Sequence, residues 1–252
     1  MRRYSWTSVC DTHSARDSHV WRKSAHNLRN YSSMVQHTRR ALFRIATAVL
    51  LLCVASACAS TSVSFRRGPR EYVASDYPLV LKRWTRHGQL IVASELDSLL
   101  DVTATFESYD FRWAYVVRYA QDYRLTVDQR KHLLVSTLAE TEEHHQFYVA
   151  LHGTKWRWSE LDKPNSAWIV RLIDDVGNET APHEITSIRK PGAIEITYFP
   201  YTTPWRRVYR IRFPVTSATG QPTISKEASW FGLRFAGAQG NQELRWEIDQ
   251  LD

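Results

Sequence analysis

Apolar side chains recur at every second position in several separate segments of this 252-residue sequence. In residues 100–106 (LDVTATF) apolar and polar positions alternate throughout. This two-residue period places the apolar side chains on one face of a β-strand, so it predicts a half-buried strand. Further strands are predicted on the same grounds at 147–153, 168–172, 194–198, 209–213, 231–235 and 244–248. The last two flank the turn-rich GAQGNQ and therefore predict a hairpin.

A different period separates the first of these strands from the second. It predicts a helix over about 109–124, and Thr126 with Gln129 forms a capping box that opens a second helix over about 127–145. We therefore predict a mainly β protein, a β-sandwich with an inserted two-helix hairpin, and an immunoglobulin-like arrangement is one form of it. The alternative is an α+β fold with both helices on one face of an antiparallel sheet.

An uncharged segment from Ile45 to Ala57 follows a basic region and precedes small residues. It spans about 13 positions, whereas a helix that crosses a bilayer core needs about 20, so no membrane span is predicted. The order of basic, apolar and small residues is instead that of a secretory signal peptide, here at 34–57. Residues 1–33 have no apolar period, so we predict that they are a disordered, non-native extension upstream of a start at Met34.

The residues Ala55-Ser56-Ala57-Cys58 resemble the lipobox of bacterial lipoproteins. The resemblance implies cleavage before Cys58 and a membrane anchor through lipid on its sulfur; the alternative is a soluble secreted protein cut near the same place. Ala59 and Ser60 lack the aspartate that retains lipoproteins of enteric bacteria at the inner membrane, so the resemblance implies the outer membrane, facing the periplasm. Residues 38–44 also resemble a twin-arginine signal. The sequence does not decide between export by the twin-arginine route and export by the general secretory route.

Removal of the leader changes the charge and the cysteine content of the chain. Residues 1–58 hold nine of the 33 Lys and Arg residues and two of the 26 Asp and Glu residues, which leaves 24 of each. With no cationic excess, a nucleic-acid partner is not predicted. All three cysteines lie at or before Cys58, which excludes disulfides and thiol chemistry from the mature domain. We predict a tether at 58–78 and one β-rich globular domain at 79–252.

The densest polar cluster in the predicted domain consists of Glu140, His144 and His145, with His152 following. Glu140 and His144 are four residues apart and would be neighbours on one helix face, where a carboxylate and an imidazole can bind zinc. Alternatively, the histidines complement the dipole at the end of the second helix. We predict no catalytic residues, metal or other cofactor, and keep a metal-dependent or other hydrolase centred on this cluster as the alternative function.

Four aromatic residues lie in segments predicted as loops or strand ends: Trp156, Trp158, Tyr201 and Trp205. Exposed aromatic side chains mark binding surfaces, whereas the alternative is that these rings belong to the core. On this basis we predict a lipid-anchored envelope protein that is a non-enzymatic binding or assembly module, with an envelope protein or a glycan as its partner.

Residues 108–115 (SYDFRWAY), together with Trp168 and residues 199–205 (FPYTTPW), are similar to an uncharacterised family of bacterial envelope lipoproteins. The similarity covers most of the mature domain. It implies the location but no activity, so it assigns a role to none of these residues.

Overall fold

The computed structural model describes residues 62–92 and 97–249. The predicted extension at 1–33, the predicted signal peptide at 34–57 and the predicted lipidation site at Cys58 lie outside these residues. Among the helices that are described, none combines the length and the apolar character needed to cross a bilayer.

The strands of the described residues form two antiparallel sheets. The larger sheet contains β1 (Thr85–Val92), β2 (Asp97–Phe106), β3 (His144–His152), β6 (Glu184–Ile188) and β7 (Arg207–Pro214), in the spatial order β1-β2-β3-β7-β6. The smaller sheet contains β4 (Ile169–Asp174), β5 (Glu179–Thr180), β8 (Trp230–Gly237) and β9 (Gly240–Glu247), in the order β5-β4-β8-β9. The predicted mainly β fold is confirmed, and β8 and β9 form the predicted hairpin.

Four α-helices accompany the sheets in the described part of the chain: α1 (Tyr77–Trp84), α2 (Tyr109–Asp122), α3 (Val127–Glu143) and α4 (Ala193–Tyr198). Short 3-10 helices occupy Ala74–Asp76 and Trp156–Ser159. The predicted helical hairpin corresponds to α2 and α3, which each end two residues earlier than expected. At the start of α3, Gln129 N donates to Thr126 Oγ1 over 3.3 Å and Thr126 N donates to Gln129 Oε1 over 3.0 Å. The predicted capping box is therefore formed.

Aromatic rings fill the space between the two sheets. Phe106 lies 4.8 Å from Phe147 within the larger sheet and 5.1 Å from Phe231 of the smaller sheet, measured between ring centroids. The fully buried Trp246 stacks on Phe231 at 5.4 Å, and its indole nitrogen donates to the carbonyl oxygen of Trp84 over 2.9 Å. The sandwich core therefore depends on large rings, as expected for a domain stabilised without disulfides.

The helices cover the outer face of the larger sheet. Tyr148 of β3 stacks on Phe199 at 3.8 Å, and Phe111 of α2 lies 5.9 Å from the same ring. The structure thus combines both predicted alternatives, a sandwich and helices on one sheet face. In an immunoglobulin sandwich the third strand lies in the sheet opposite the first two, whereas here β3 pairs with β2, so the immunoglobulin arrangement is not adopted.

The strand predicted at 194–198 is wrong, because this segment forms α4. Its apolar residues alternate as in a strand, but the carboxylate of Glu195 accepts a hydrogen bond from Gly192 N over 2.8 Å and caps a helical turn. The backbone bond from Ile196 N to Gly192 O, 3.1 Å long, continues that turn. A local cap therefore decides between two structures that the apolar pattern alone does not distinguish.

The folded domain begins before the predicted boundary at residue 79. Val63 is buried and pairs with Ile248 in a parallel bridge, and Tyr77 is buried in the core. The tether predicted at 58–78 is therefore wrong over its described residues, since this segment packs on the domain. The helix α1, which begins at Tyr77, and the strand β1 after it were not predicted, because neither segment shows a clear apolar period.

Candidate binding site

Two of the four predicted aromatic surface residues are well exposed. The side chain of Trp205 is 75% exposed and that of Trp156 is 51% exposed, with the guanidinium of Arg207 4.1 Å from the centroid of the Trp156 ring. Trp158 and Tyr201 are instead half-buried against the core. The Tyr201 hydroxyl lies 2.6 Å from Thr105 Oγ1. The candidate surface is therefore reduced to Trp156 and Trp205. Trp156 contacts Arg207, the first residue of β7, and Trp205 lies two residues before that strand.

The candidate metal cluster is not assembled. Because α3 ends at Glu143, His144 and His145 begin β3, where consecutive side chains point to opposite faces. The His144 ring lies 4.6 Å from that of His183, whereas His145 packs on Phe106. Glu140 is paired with an arginine of α2, and His152 lies at the opposite end of β3. Among residues 62–92 and 97–249, no group of three or more His, Cys, Asp or Glu side chains is placed to hold a metal ion.

The packing of His145 predicts a pH dependence of stability. Burial, with a smaller contribution from nearby Arg67, lowers the pKa of His145 to about 4. An unfolded histidine titrates near pH 6.5, so between pH 6.5 and pH 4 the unfolded chain binds more protons than the folded one. The free energy of unfolding should therefore fall as the pH falls through this window, by roughly 1 kcal/mol per pH unit from this group.

Urea unfolding of the His145→Gln variant at pH 7, 6 and 5 tests this pH dependence. The variant should lose this part of the slope, while the His132→Gln variant, changed at an exposed position of α3, should keep it because His145 is still present. An identical slope in His145→Gln and the unmodified protein would show that His145 is not its source.

A cavity lined by charged side chains lies between the helices and the larger sheet. This cavity has a volume of about 210 Å³. Its charged and polar walls are Glu107, Arg112, Thr137, Glu140, Gln146, Glu195, Arg210 and Arg212. Three arginines and three glutamates therefore face one space, which we call the polar cavity.

Strand alternation and register bring these residues together. Gln146 pairs with Arg212, and Tyr148 pairs with Arg210, across β3 and β7. Because side chains alternate between faces, all four lie on the face covered by the helices. Glu107 follows β2 directly, and its backbone N donates to Gln146 O over 2.8 Å, which holds Glu107 at the edge of the cavity.

Glu107 is the central charge of the polar cavity. Its side chain is 10% exposed, and its Oε2 accepts from Gln146 Nε2 over 2.7 Å. Arg112 Nη2 lies 3.5 Å from Oε2, and Arg210 Nε lies 3.8 Å from Oε1. Both distances exceed a good hydrogen bond. Glu107 Oε1 consequently has no hydrogen-bond partner among the described residues.

Two of the three guanidinium nitrogens of Arg112 donate hydrogen bonds, and the third does not. Its side chain is 4% exposed, and its Nε donates to Glu107 O over 3.0 Å. Its Nη1 donates to Thr137 O over 2.9 Å and to Glu140 Oε2 over 2.7 Å. Its buried Nη2, however, donates to none of the described residues. A buried polar atom without a partner costs free energy, so an incomplete network at a cavity indicates a place for water or a ligand.

Arg210 differs from its neighbour two positions along β7. Arg212 donates to Gln146 Oε1 over 2.6 Å and to Glu184 Oε2 over 3.0 Å. The guanidinium of Arg210 makes no hydrogen bond with any described residue, its buried Nε included, although its side chain is 38% exposed at the cavity. Arg210 therefore presents free donors in a fixed planar group.

An apolar wall completes the polar cavity. It is formed by Phe111, Tyr115, Ile194 and Phe199. Burial raises the pKa of Tyr115 above its ordinary value, so its hydroxyl is uncharged at neutral pH. The cavity thus places cationic donors, carboxylate acceptors and apolar surface side by side.

Comparison with known proteins adds no further information about the site. No family model, no curated protein and no solved structure matches this chain.

Proposed function

We propose that this chain is a non-enzymatic binding module of the bacterial cell envelope, and that the polar cavity holds a small-molecule ligand. The observation that carries the proposal is the free guanidinium of Arg210 beside the unpartnered atoms of Glu107 and Arg112. An arginine in a strand that faces packed helices is normally paired, since burial of a charge costs free energy unless the charge is compensated. Arginine is also the side chain best suited to hold a planar anion through two parallel hydrogen bonds.

The surroundings of Arg210 support binding rather than nucleophilic catalysis. Glu140 is committed to Arg112, and Glu195 to the cap of α4. The described residues that line the cavity include no Ser, Cys or His, the side chains from which a nucleophile and its base are usually built. The separation of Glu140, His144, His145 and His152 leaves the alternative hydrolase without a supporting observation among the described residues.

Stability measurements test whether Arg210 is free for a ligand. The Arg210→Gln variant should unfold with a free energy within about 1 kcal/mol of that of the unmodified protein, because no hydrogen bond is lost and the ion pair with Glu107, at 3.8 Å, is long and partly exposed. Urea unfolding followed by tryptophan fluorescence gives the value. A loss above about 1.5 kcal/mol would identify Arg210 as a structural partner of Glu107 and contradict the proposed role.

The proposed location depends on the leader and on Cys58. The basic, apolar and small-residue order before Cys58 supports export and lipid attachment, and the residues after it support the outer membrane, with the domain in the periplasm. A lipid anchor would hold the binding module at the membrane surface without a membrane-spanning segment.

Substitution of Cys58 tests the proposed anchor. The Cys58→Ser variant should accumulate as an uncut precursor, and the matched Cys53→Ser variant should be processed normally. Intact-mass spectrometry of the membrane fraction is the readout, and the unmodified protein should begin at a lipid-modified Cys58. Normal processing of Cys58→Ser, or an unmodified Cys58 in the mature protein, would contradict the proposal.

We infer that the envelope protein or glycan expected as a partner contacts only the exposed part of the predicted aromatic surface. Trp205 and Trp156 support such a contact, because large exposed rings are common at the centre of binding surfaces. Trp158 and Tyr201 do not contribute in the same way, since both pack against the core. This contact would be separate from the ligand of the polar cavity.

A further inference from the structure

We infer that the ligand of the polar cavity is a free α-amino acid bound as a zwitterion, an inference that rests on the proposed binding function. Three features of the cavity indicate this class of ligand. They are guanidinium nitrogens without hydrogen-bond partners among the described residues, a carboxylate oxygen in the same condition beside them, and an apolar wall.

The donors define the negative end of the ligand. Arg210 offers a free guanidinium, and the buried Nη2 of Arg112 lacks a hydrogen-bond partner among the described residues. Both groups lie next to Glu107, at 3.8 Å and 3.5 Å respectively. A carboxylate matches the planar, two-pronged geometry of a guanidinium and would satisfy donors of this kind.

The acceptors favour a ligand that carries a positive group as well as a negative one. Glu107 Oε1 is buried and without a hydrogen-bond partner in the described structure, and Glu140 and Glu195 line the same space. The three arginines and three glutamates that line this space balance in charge, so a ligand with no net charge matches it better than a phosphate dianion does. These donor atoms and the acceptor atom are adjacent, so a ligand that presents a carboxylate and an ammonium close together would satisfy both kinds of atom. The head group of an α-amino acid has this arrangement, with one carbon between the two charges.

The walls and the size of the cavity define the rest of the ligand. Phe111, Phe199 and Ile194 provide apolar surface for an aliphatic side chain. The volume of about 210 Å³ lies below the roughly 300–1,000 Å³ of pockets for drug-sized ligands, so a molecule the size of leucine is favoured over an oligomer.

Isothermal titration calorimetry on the purified full chain tests the inference. The ligands are L-leucine, N-acetyl-L-leucine, L-leucinamide and inorganic phosphate. L-leucine should bind at least about tenfold more tightly than the acetylated form, which lacks the ammonium, and the amide, which lacks the carboxylate, since each loses a charge-assisted hydrogen bond. The Arg210→Gln and Glu107→Gln substitutions should each lower the affinity for L-leucine by a similar factor. Arg234→Gln, changed on the smaller sheet where Arg234 pairs with Glu243, is the matched control and should bind normally.

The pattern of binding separates this inference from the proposed function. If phosphate or N-acetyl-L-leucine binds as well as L-leucine and depends on Arg210, the zwitterion inference is wrong and the binding function stands. If none of the four ligands binds to the unmodified protein, the inference is overturned, whatever the variants show. The comparison of ligands uses unmodified protein, so the result stands even if Glu107→Gln does not fold.

Discussion

The Asp110→Ala variant is expected to lose about 3–5 kcal/mol of its free energy of unfolding, the cost typical of breaking a buried charged network. The buried carboxylate of Asp110 joins three parts of the chain. Its Oδ1 accepts from Arg70 Nε over 2.9 Å and from the Tyr72 hydroxyl over 2.7 Å. Its Oδ2 accepts from Trp84 Nε1 over 2.9 Å. Removal of the carboxylate would leave all these donors without their acceptor.

Two further variants make the measurement of Asp110 specific. Asp110→Asn keeps one acceptor but places an amide N–H group against a donor, so an intermediate loss is expected. Asp128→Ala changes an exposed aspartate in the first turn of α3 and should cost less than about 1 kcal/mol. Urea unfolding measures all three. A loss below about 1 kcal/mol in Asp110→Ala would show that the segment before α1 is not held by this carboxylate.

The Arg112→Gln variant is expected to lose about 3 kcal/mol, because it removes the closer of the two cations beside the buried Glu107 and leaves Arg210 at 3.8 Å. Glu107 would keep Gln146 but lose its nearest cation. Thr137 O would also lose the donor that ties α3 to α2. The effect should therefore include the packing of the helical hairpin as well as the charge.

The control for Arg112 comes from the same helix. Arg118 pairs with Asp122 at 2.8 Å on the exposed side of α2, and Arg118→Gln should cost less than about 1 kcal/mol, as is typical of exposed pairs. Urea unfolding monitored by circular dichroism compares the two variants. Equal small losses in both would mean that the network around Glu107 contributes little to stability, contrary to this expectation.

Six of the nine strands of the described residues and the helical hairpin are the parts of the fold that the sequence predicts well. Their apolar periods and caps are local properties, and Thr126 with Gln129 forms the cap that the sequence indicates. Prediction fails where two local signals compete. The segment 194–198 alternates like a strand, but the bond from Gly192 N to Glu195 turns it into a helix. Likewise, α3 ends at Glu143, which separates His144 from the helix face that the metal hypothesis required.

The polar cavity was beyond the reach of the sequence because it depends on pairing between distant segments. Arg210 and Arg212 are the polar positions of the alternating strand predicted at 209–213, and that alternation does not show what their face of the sheet contacts. The register of β7 with β3 and the cover of α2 place them beside Glu107. No local pattern encodes which strands become neighbours.

The most direct test of the binding function is the side-chain Nε–Hε resonance of Arg210 in an NMR spectrum of the ¹⁵N-labelled protein. The resonance is assigned by its absence from the Arg210→Gln variant and then followed during separate titrations with L-leucine, acetate and inorganic phosphate. We expect it to shift in a saturable manner with at least one of these ligands, and most strongly with L-leucine. A resonance that stays in place with all three, at concentrations up to the millimolar range, would contradict a ligand site at Arg210.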